Sequence, residues 1–285
     1  TNSFKNIRNY LIDESIDEIF ITINPKKILS IDNELFTYLD YIGVNYHVCI
    51  NTGESELPRG SKLKILADEY YGMQMLSYHS VNANLYELVI KDIAEKILAF
   101  ILILITLPIS LISSILIKIT SNGPIFFTQN RVGLRGRHFK QYKFRSMEID
   151  SEKKQQEIMH MNEQSGPVFK IKNDPRIISG AETLRNYSLD ELPQFFNVLL
   201  GNMSVVGPRP LFGEDTLLFS ENYMRRLNVL PGITGLLQIN DRNTSEFSTW
   251  FKYDLEYIEN WSIFLDIKII FLTPFSLFKK EVKGI

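Results

Sequence analysis

The sequence has a single cysteine, no glycine-rich nucleotide loop and no excess of positive charge. Cys49 cannot form an internal disulfide, and no Cys/His cluster has zinc-ligand spacing, a usage that fits a reducing compartment. Cys49 stands in the strand-like run Y-H-V-C-I and is expected as a buried thiol. The formal net charge is -2 over 285 residues, which argues against a nucleic-acid partner held by bulk electrostatics. Any anion site must be local. Neither G-x-G-x-x-G nor G-x-x-x-x-G-K-[ST] follows a strand-like run, so nucleotide binding in the first part of the chain is unsupported. The chain opens on Thr1 with no signal peptide, and we expect a fragment whose natural start lies upstream.

Charge is also missing from one long stretch. From Ile97 to Ile117 no charged residue occurs, and Lys96 and Lys118 bound the run. At ~1.5 Å per helical residue this is about 32 Å, close to the hydrocarbon thickness of a bilayer. Pro108, in its middle, removes the backbone bond to the Leu104 carbonyl and predicts a kink, where Ser110 with Thr106 could re-satisfy freed backbone groups. Lys91 and Lys96 precede the run. Lys118, Arg131, Arg135, Arg137, Lys140, Lys143 and Arg145 follow it, which places the C-terminal side in the cytoplasm and does not expel the N-terminal side. A simple span and a re-entrant hairpin are both open, and the charges favour the hairpin.

Before this segment, residues 1 to 82 alternate strand-like and helical patterns: I-F-I-T-I, then a helical repeat through Leu35, Tyr38, Leu39 and Ile42, then Y-H-V-C-I and M-Q-M-L-S-Y. This predicts a small α/β, Rossmann-like unit with a partly parallel sheet and a regulatory or scaffold role. Residues 83 to 120 form an amphipathic lead and the membrane helix. Residues 121 to 285 carry proline- and glycine-marked turns, V-V-G-P-R-P and L-P-G-I-T-G among them, and are expected to form a mainly helical α+β catalytic domain. Near its end, N-W-S-I-F-L-D-I-K-I-I-F-L predicts a helix on the membrane interface, anchored by Trp261 and phenylalanines, although a core helix fits as well.

The stretch Y-S-L-D-E-L-P-Q places two acids, Asp190 and Glu191, side by side. Alone, Ser188 and Glu191 fit a capping box, and acids suit the first turn of a helix. There the dipole keeps a carboxylate ionised, and free N–H groups can meet a phosphate. Arginines recur in the same half: Arg145, Arg176, Arg185, Arg209, Arg225, Arg226 and Arg242. Guanidinium grips phosphate bidentately, and Arg209 between two prolines has a nearly fixed backbone. Set beside a membrane segment, this combination points to diphosphate chemistry at a lipid surface.

The ordered motifs K-D-I-A-E, S-N-G-P-I-F-F-T-Q-N-R-V-G, Y-K-F-R-S-M, K-N-D-P-R-I, S-L-D-E-L-P-Q-F-F-N-V-L, G-N-M-S-V-V-G-P-R-P, P-G-I-T-G-L-L-Q and D-L-E-Y-I-E-N-W-S resemble the bacterial sugar transferases. These are monotopic phosphoglycosyl transferases, and the match runs from about residue 88 to 278. The resemblance implies transfer of a sugar 1-phosphate from a UDP-sugar to undecaprenyl phosphate, releasing UMP, as the first membrane step of exopolysaccharide, capsule or O-antigen synthesis. Asp190 would be the nucleophile, forming an aspartyl sugar-phosphate, as acyl-phosphate enzymes do. Glu191 would hold Mg²⁺ with Asp190, or receive the proton of the incoming phosphate. Lys143, Arg145, Arg185, Arg209 and Arg242 are the expected substrate contacts. The resemblance further implies the bacterial inner membrane, a cytoplasmic catalytic domain and a homodimer.

Three positions depart from the family pattern: Asn202 for an acid, Leu237 for a tryptophan and Asp241 for a glycine. They bear on sugar choice. An ordinary glycosyltransferase would show a D-x-D metal motif, which is absent, and a polytopic phosphoglycosyl transferase would need many spans. A catalytically impaired membrane scaffold is the remaining alternative.

Overall fold

The alternation in the first eighty residues folds into a four-stranded sheet in the order β1-β2-β4-β3. The strands are β1 (Glu18–Ile21), β2 (Asn45–Cys49), β3 (Lys64–Tyr70) and β4 (Met73–His79), with α1 (Asn33–Ile42) between the first two. This computed structural model describes residues 7, 10–11, 16–22, 33–42, 44–49, 64–70, 72–79, 85–149, 151, 158–162, 171, 174–212, 221–242, 244 and 246–278. β1 and β2 run parallel, and β4 pairs antiparallel with both β2 and β3. Among the described residues the expected Rossmann-like arrangement is therefore seen only as a first β-α-β step. The physical reason is the hairpin at Gly72 (φ +77°): a turn this short can only return the chain antiparallel. The apolar face of α1 supplies Phe36, Leu39 and Ile42 to a core with Tyr46, Val48 and Tyr78, and Tyr46 stacks on Tyr78 at 4.5 Å. Cys49 is buried, as its strand position predicts.

α2 (Leu85–Thr120) is one helix of 36 residues with Pro108 inside it. It is long and apolar enough to cross a membrane, and only 11% of its most apolar stretch is buried. Its buried side chains come in two i, i+4 pairs, Glu95 with Ala99 and Ser113 with Ile117, and none lies between 100 and 112. The intervening residues expose Phe100, Leu104, Ile105, Leu107, Leu111 and Ile112. Thr106 Oγ1 donates to the Leu102 carbonyl at 2.7 Å, and Ser114 Oγ donates to the Ser110 carbonyl at 2.7 Å. Thus Ser110 contributes its carbonyl to a hydroxyl bond one turn on.

After α2, β5 (Phe126–Val132) and β6 (His138–Phe144) form an antiparallel ribbon, and β7 (Ser204–Val206) pairs parallel with β8 (Gly232–Thr234). The helices are α3 (Ala181–Asn186), α4 (Gln194–Leu199), α5 (Leu236–Asn240), α6 (Phe247–Glu259) and α7 (Ile263–Phe278), with 3-10 segments at Leu189–Glu191 and Glu221–Asn228. The G-P-R-P and P-G-I-T-G turns cross where β7 meets β8. A Cβ on Gly232 would stand 2.0 Å from the Gly207 nitrogen, so only glycine permits this approach.

The first arm of α2 is tied to this half by a buried polar cluster. Lys91 Nζ donates to Glu95 at 2.7 Å and to Asp266 at 2.6 Å, and Asp266 also accepts from Tyr257 (2.8 Å) and Trp261 (3.0 Å). Trp261 is consequently buried, which corrects the sequence expectation of an interfacial anchor. Asp266 belongs to the interior for the same reason. The exposed side of α7 is instead Phe264, Ile267, Phe271 and Phe275, which keeps an apolar outer face on that helix.

Candidate active site

The acid pair sits in the 3-10 turn Leu189–Glu191, directly before α4, with both residues 9% exposed. Ser188, which opens the turn, has φ 55° and makes no capping bond through its side chain. Its Oγ instead accepts from Arg242 Nη2. The capping-box expectation fails because Glu191 is drawn elsewhere: its Oε1 accepts from Lys143 Nζ (3.1 Å) and Arg209 Nη2 (2.7 Å). At this helix end two of the N–H groups are already bonded. Glu191 N donates to Ser188 O at 3.1 Å and Leu192 N to Leu189 O at 3.3 Å. The positive surroundings of the acids come from side chains.

Lys143, Arg185, Arg209 and Arg242 all exert their charge on the pair, four cations against two carboxylates. Lys143 comes from β6, Arg185 from α3, Arg209 from the turn after β7 and Arg242 from the residues after α5. Arg145 does not join them. Its guanidinium is spent on the turn after α2, donating to Pro124 O (2.7 Å), Ser121 Oγ (2.9 Å) and Ser121 O (3.1 Å).

The two acids are electrostatically unequal. Burial raises the Asp190 carboxyl above the ordinary range, and the Glu191 charge adds to this, with Lys143, Arg185 and Arg209 opposing. Burial also pushes Glu191 upward, but Arg209, Lys143 and Arg242 outweigh it and hold that carboxyl well below its usual value. Lys143 is lowered by burial, whereas Arg209 is raised by Glu191. Glu191 is thus the fixed anion and Asp190 the more basic one. Among the described residues the Asp190 carboxylate accepts no hydrogen bond.

Three contributors have no role in the sequence reading. Gln194 follows Asp190 by four residues, on the same face of a continuous turn-and-helix stretch, and is 2% exposed with its amide nitrogen unpartnered. It was visible in S-L-D-E-L-P-Q, where i, i+4 spacing from the acid is the signal. Arg131 Nη1 donates to Pro210 O at 3.2 Å, and Arg226 Nη2 donates to Arg209 O at 2.6 Å. Both appear in sequence only as basic residues, since their acceptors are backbone carbonyls about 80 and 17 residues away.

The sequence profile described as Bacterial sugar transferase matches residues 86–280. The chain belongs to the bacterial sugar transferase family. Among relatives, this sugar transferase is 48% identical over 152 residues to the galactosyl transferase CpsE of Streptococcus agalactiae serotype III, covering 53% of the chain and 34% of that protein. It is 39% identical over 224 residues to the UDP-glucose:undecaprenyl-phosphate glucose-1-phosphate transferase of Klebsiella pneumoniae, covering 76% of the chain and 46% of that protein. It is 36% identical over 183 residues to the exopolysaccharide production protein ExoY of Rhizobium meliloti, covering 63% of the chain and 81% of that protein. The chain therefore spans less than half the length of the first two.

Within the sugar transferase frame the departures fall in different settings. Leu237 is buried in a cluster with Leu211 and Trp250, so its size is a packing matter. Asn202 lies in the turn after α4, and Asp241 ends α5 immediately before Arg242.

Proposed function

We propose that this chain transfers a sugar 1-phosphate from a UDP-sugar to undecaprenyl phosphate through a covalent intermediate on Asp190. The observation that carries the reading is the asymmetry of the acid pair: an unbonded, raised carboxylate beside one fixed by Lys143 and Arg209. A more basic carboxylate is the better nucleophile once ionised, and the surplus of cations suits a diphosphate. An Asp190 oxygen attacks the β-phosphorus of the UDP-sugar. The bond from that phosphorus to the bridging oxygen breaks, and UMP leaves with the electron pair. A phosphate oxygen of the polyprenyl acceptor then attacks the same phosphorus and frees Asp190, giving the polyprenyl diphosphate sugar.

Arg185, Arg209 and Arg242 neutralise the diphosphate, with Lys143 holding Glu191 in place. Glu191 is poorly suited to accept a proton, because a carboxyl held so low binds one weakly. Its unbonded oxygen and the open carboxylate of Asp190 fit a hard cation that takes one or two carboxylates and completes its shell with phosphate and water. Bound Mg²⁺ would supply charge neutralisation at the diphosphate.

The geometry of α2 supports a re-entrant hairpin. Ala99 packs in the cluster containing Val198, and Phe195 and Leu199 pack against that cluster. Ile117 packs in another, against which Leu189 and Leu192 pack. Positions 99 and 117 would be about 27 Å apart on a straight helix, whereas residues 189 to 199 span only about 15 to 20 Å. Both arms thus meet one face of the same half, with the exposed residues from 100 to 112 left for lipid. In this reading both flanking units, residues 1–82 and 121–285, lie on the cytoplasmic side of the bacterial inner membrane, with the membrane element at 83–120. Pairing into a homodimer belongs to the same proposal.

Intact-protein mass spectrometry after mixing with UDP-glucose or UDP-galactose and Mg²⁺ tests the reaction. The wild-type chain is expected to gain one sugar phosphate and release UMP before any lipid is added, and Asp190→Asn to gain nothing. An adduct at wild-type level in that variant would move the nucleophile elsewhere.

A further inference from the structure

Arg209 stands between Pro208 and Pro210, neither of which has an N–H to give, so the loop must be held largely by its carbonyls. All three are taken. Pro208 O accepts from Gly232 N at 2.8 Å, Pro210 O from Arg131 Nη1 at 3.2 Å, and Arg209 O from Arg226 Nη2 at 2.6 Å. The first two donors come from the strands β8 and β5, built into the catalytic half. Arg226 is different, because the 3-10 segment that carries it, Glu221–Asn228, faces two ways.

Toward the catalytic half, Arg226 pairs with buried Asp254 on α6 at 2.9 Å, and Arg225 with Glu259 at 2.7 Å. The Tyr223 ring meets Phe251 edge-on at 3.9 Å. Toward the N-terminal α/β unit, Met224 packs against the core built from Phe36, Leu39, Tyr46 and Tyr78, and α1 runs alongside the segment. Nearby, Asp17 of the same unit accepts from Arg135 through its carbonyl and from Arg137 through its carboxylate. One short segment therefore touches the N-terminal core through residue 224 and the backbone of the phosphate-binding arginine through residue 226.

We propose that Arg226 is a positioning residue for Arg209, and that docking of the N-terminal α/β unit on Met224 sets how firmly it holds. The unit then acts on the reaction from outside the site, by fixing the direction in which Arg209 leaves its two prolines. Arg209 must meet both Glu191 and a phosphate, and a displacement of about 1 Å in such a group costs as much as ~10²-fold in rate. The Asp254 pair keeps Arg226 from swinging free, since a buried carboxylate left without its cation is strongly disfavoured.

The kinetic part rests on the proposed transfer reaction, so a structural measurement is placed beside it. In the full chain, Met224→Ala is expected to raise hydrogen exchange several-fold in peptides covering Gly207–Phe212, far from the substitution in sequence. Unchanged exchange there would overturn the proposal, whatever the chain catalyses. In UMP-release assays, Met224→Ala and Arg226→Lys should each lower kcat by about 10-fold and have no further effect in an Arg209→Ala background. Additive losses in the double variants mean that residues 224 and 226 act by another route, and overturn it too. If Arg226→Lys fails to fold, the Met224→Ala pair decides alone. Absence of any UMP release by the wild type would sink the transfer reaction and leave the exchange measurement to judge the coupling.

Discussion

Glu191 and Arg209 are joined by an ion pair of 2.7 Å, and that pair, with Lys143 at 3.1 Å, leaves Asp190 as the open carboxylate of the two. Adjacent acids in a sequence look interchangeable. Here their partners separate a fixed anion from an unbonded one.

Replacing Glu191 by Gln removes the neighbouring charge that raises Asp190 and frees Lys143 and Arg209 to lower it. The Asp190 carboxyl should therefore ionise at lower pH, and the acid limb of kcat/KM for UMP release should move downward, while the plateau falls by about 10²-fold. A limb that stays or moves upward counts against the assignment. Stability follows the opposite acid. The Glu191 carboxyl is held low in the folded chain, so its contribution is complete above the ordinary glutamate value and is lost as pH falls toward the folded one. Glu191→Gln should flatten that acid loss in thermal melts.

Gln194 has a buried amide nitrogen with no acceptor, which costs a folded chain about 1–3 kcal/mol. Gln194→Leu should leave stability unchanged or raise it by about 1 kcal/mol, while UMP release drops by about 10- to 100-fold through loss of a donor to the phosphate. Full activity in a stable Gln194→Leu variant would make the amide a packing residue.

Arg145→Ala separates holding a turn from holding a substrate. Its three bonds brace Ser121 and Pro124 at the end of α2, so the substitution should cost about 3 kcal/mol in unfolding experiments. The KM for UDP-sugar in the folded fraction should stay within about twofold. A large rise in KM without loss of stability would return Arg145 to the substrate.

Topology is tested by single cysteines in a Cys49→Ser background. Tyr86→Cys and Asn122→Cys, at the two ends of α2, should both react with an impermeant maleimide only when the cytoplasmic face is open. Reaction from opposite faces would make α2 a simple span.

Much of the fold was legible in local patterns. The runs around Phe20 and Cys49 are strands, and the repeat through Leu35 and Ile42 is a helix whose 3.6-residue apolar spacing sets its buried face, whereas β2 is buried on both faces. The partly parallel sheet is present as the patterns predict, whereas strand β3 and the strand order are not readable from them, since order depends on partners distant in sequence. Trp261 looks interfacial from composition, yet its indole donates to Asp266, which in turn accepts from Lys91 on another helix.

Sequence alone is enough for an uninterrupted apolar segment with a central proline that leads into a half rich in glycine, proline and arginine turns, with two acids side by side. These are short-range properties: charge, backbone restriction and spacing. Which arginine serves the acids and which serves a turn, and which of the two acids is pinned, follows from the fold. Arg145 and Arg209 are indistinguishable in composition, but one guanidinium meets carbonyls and the other a carboxylate, because burial and the strength of a charge depend on what the fold brings within a few ångströms.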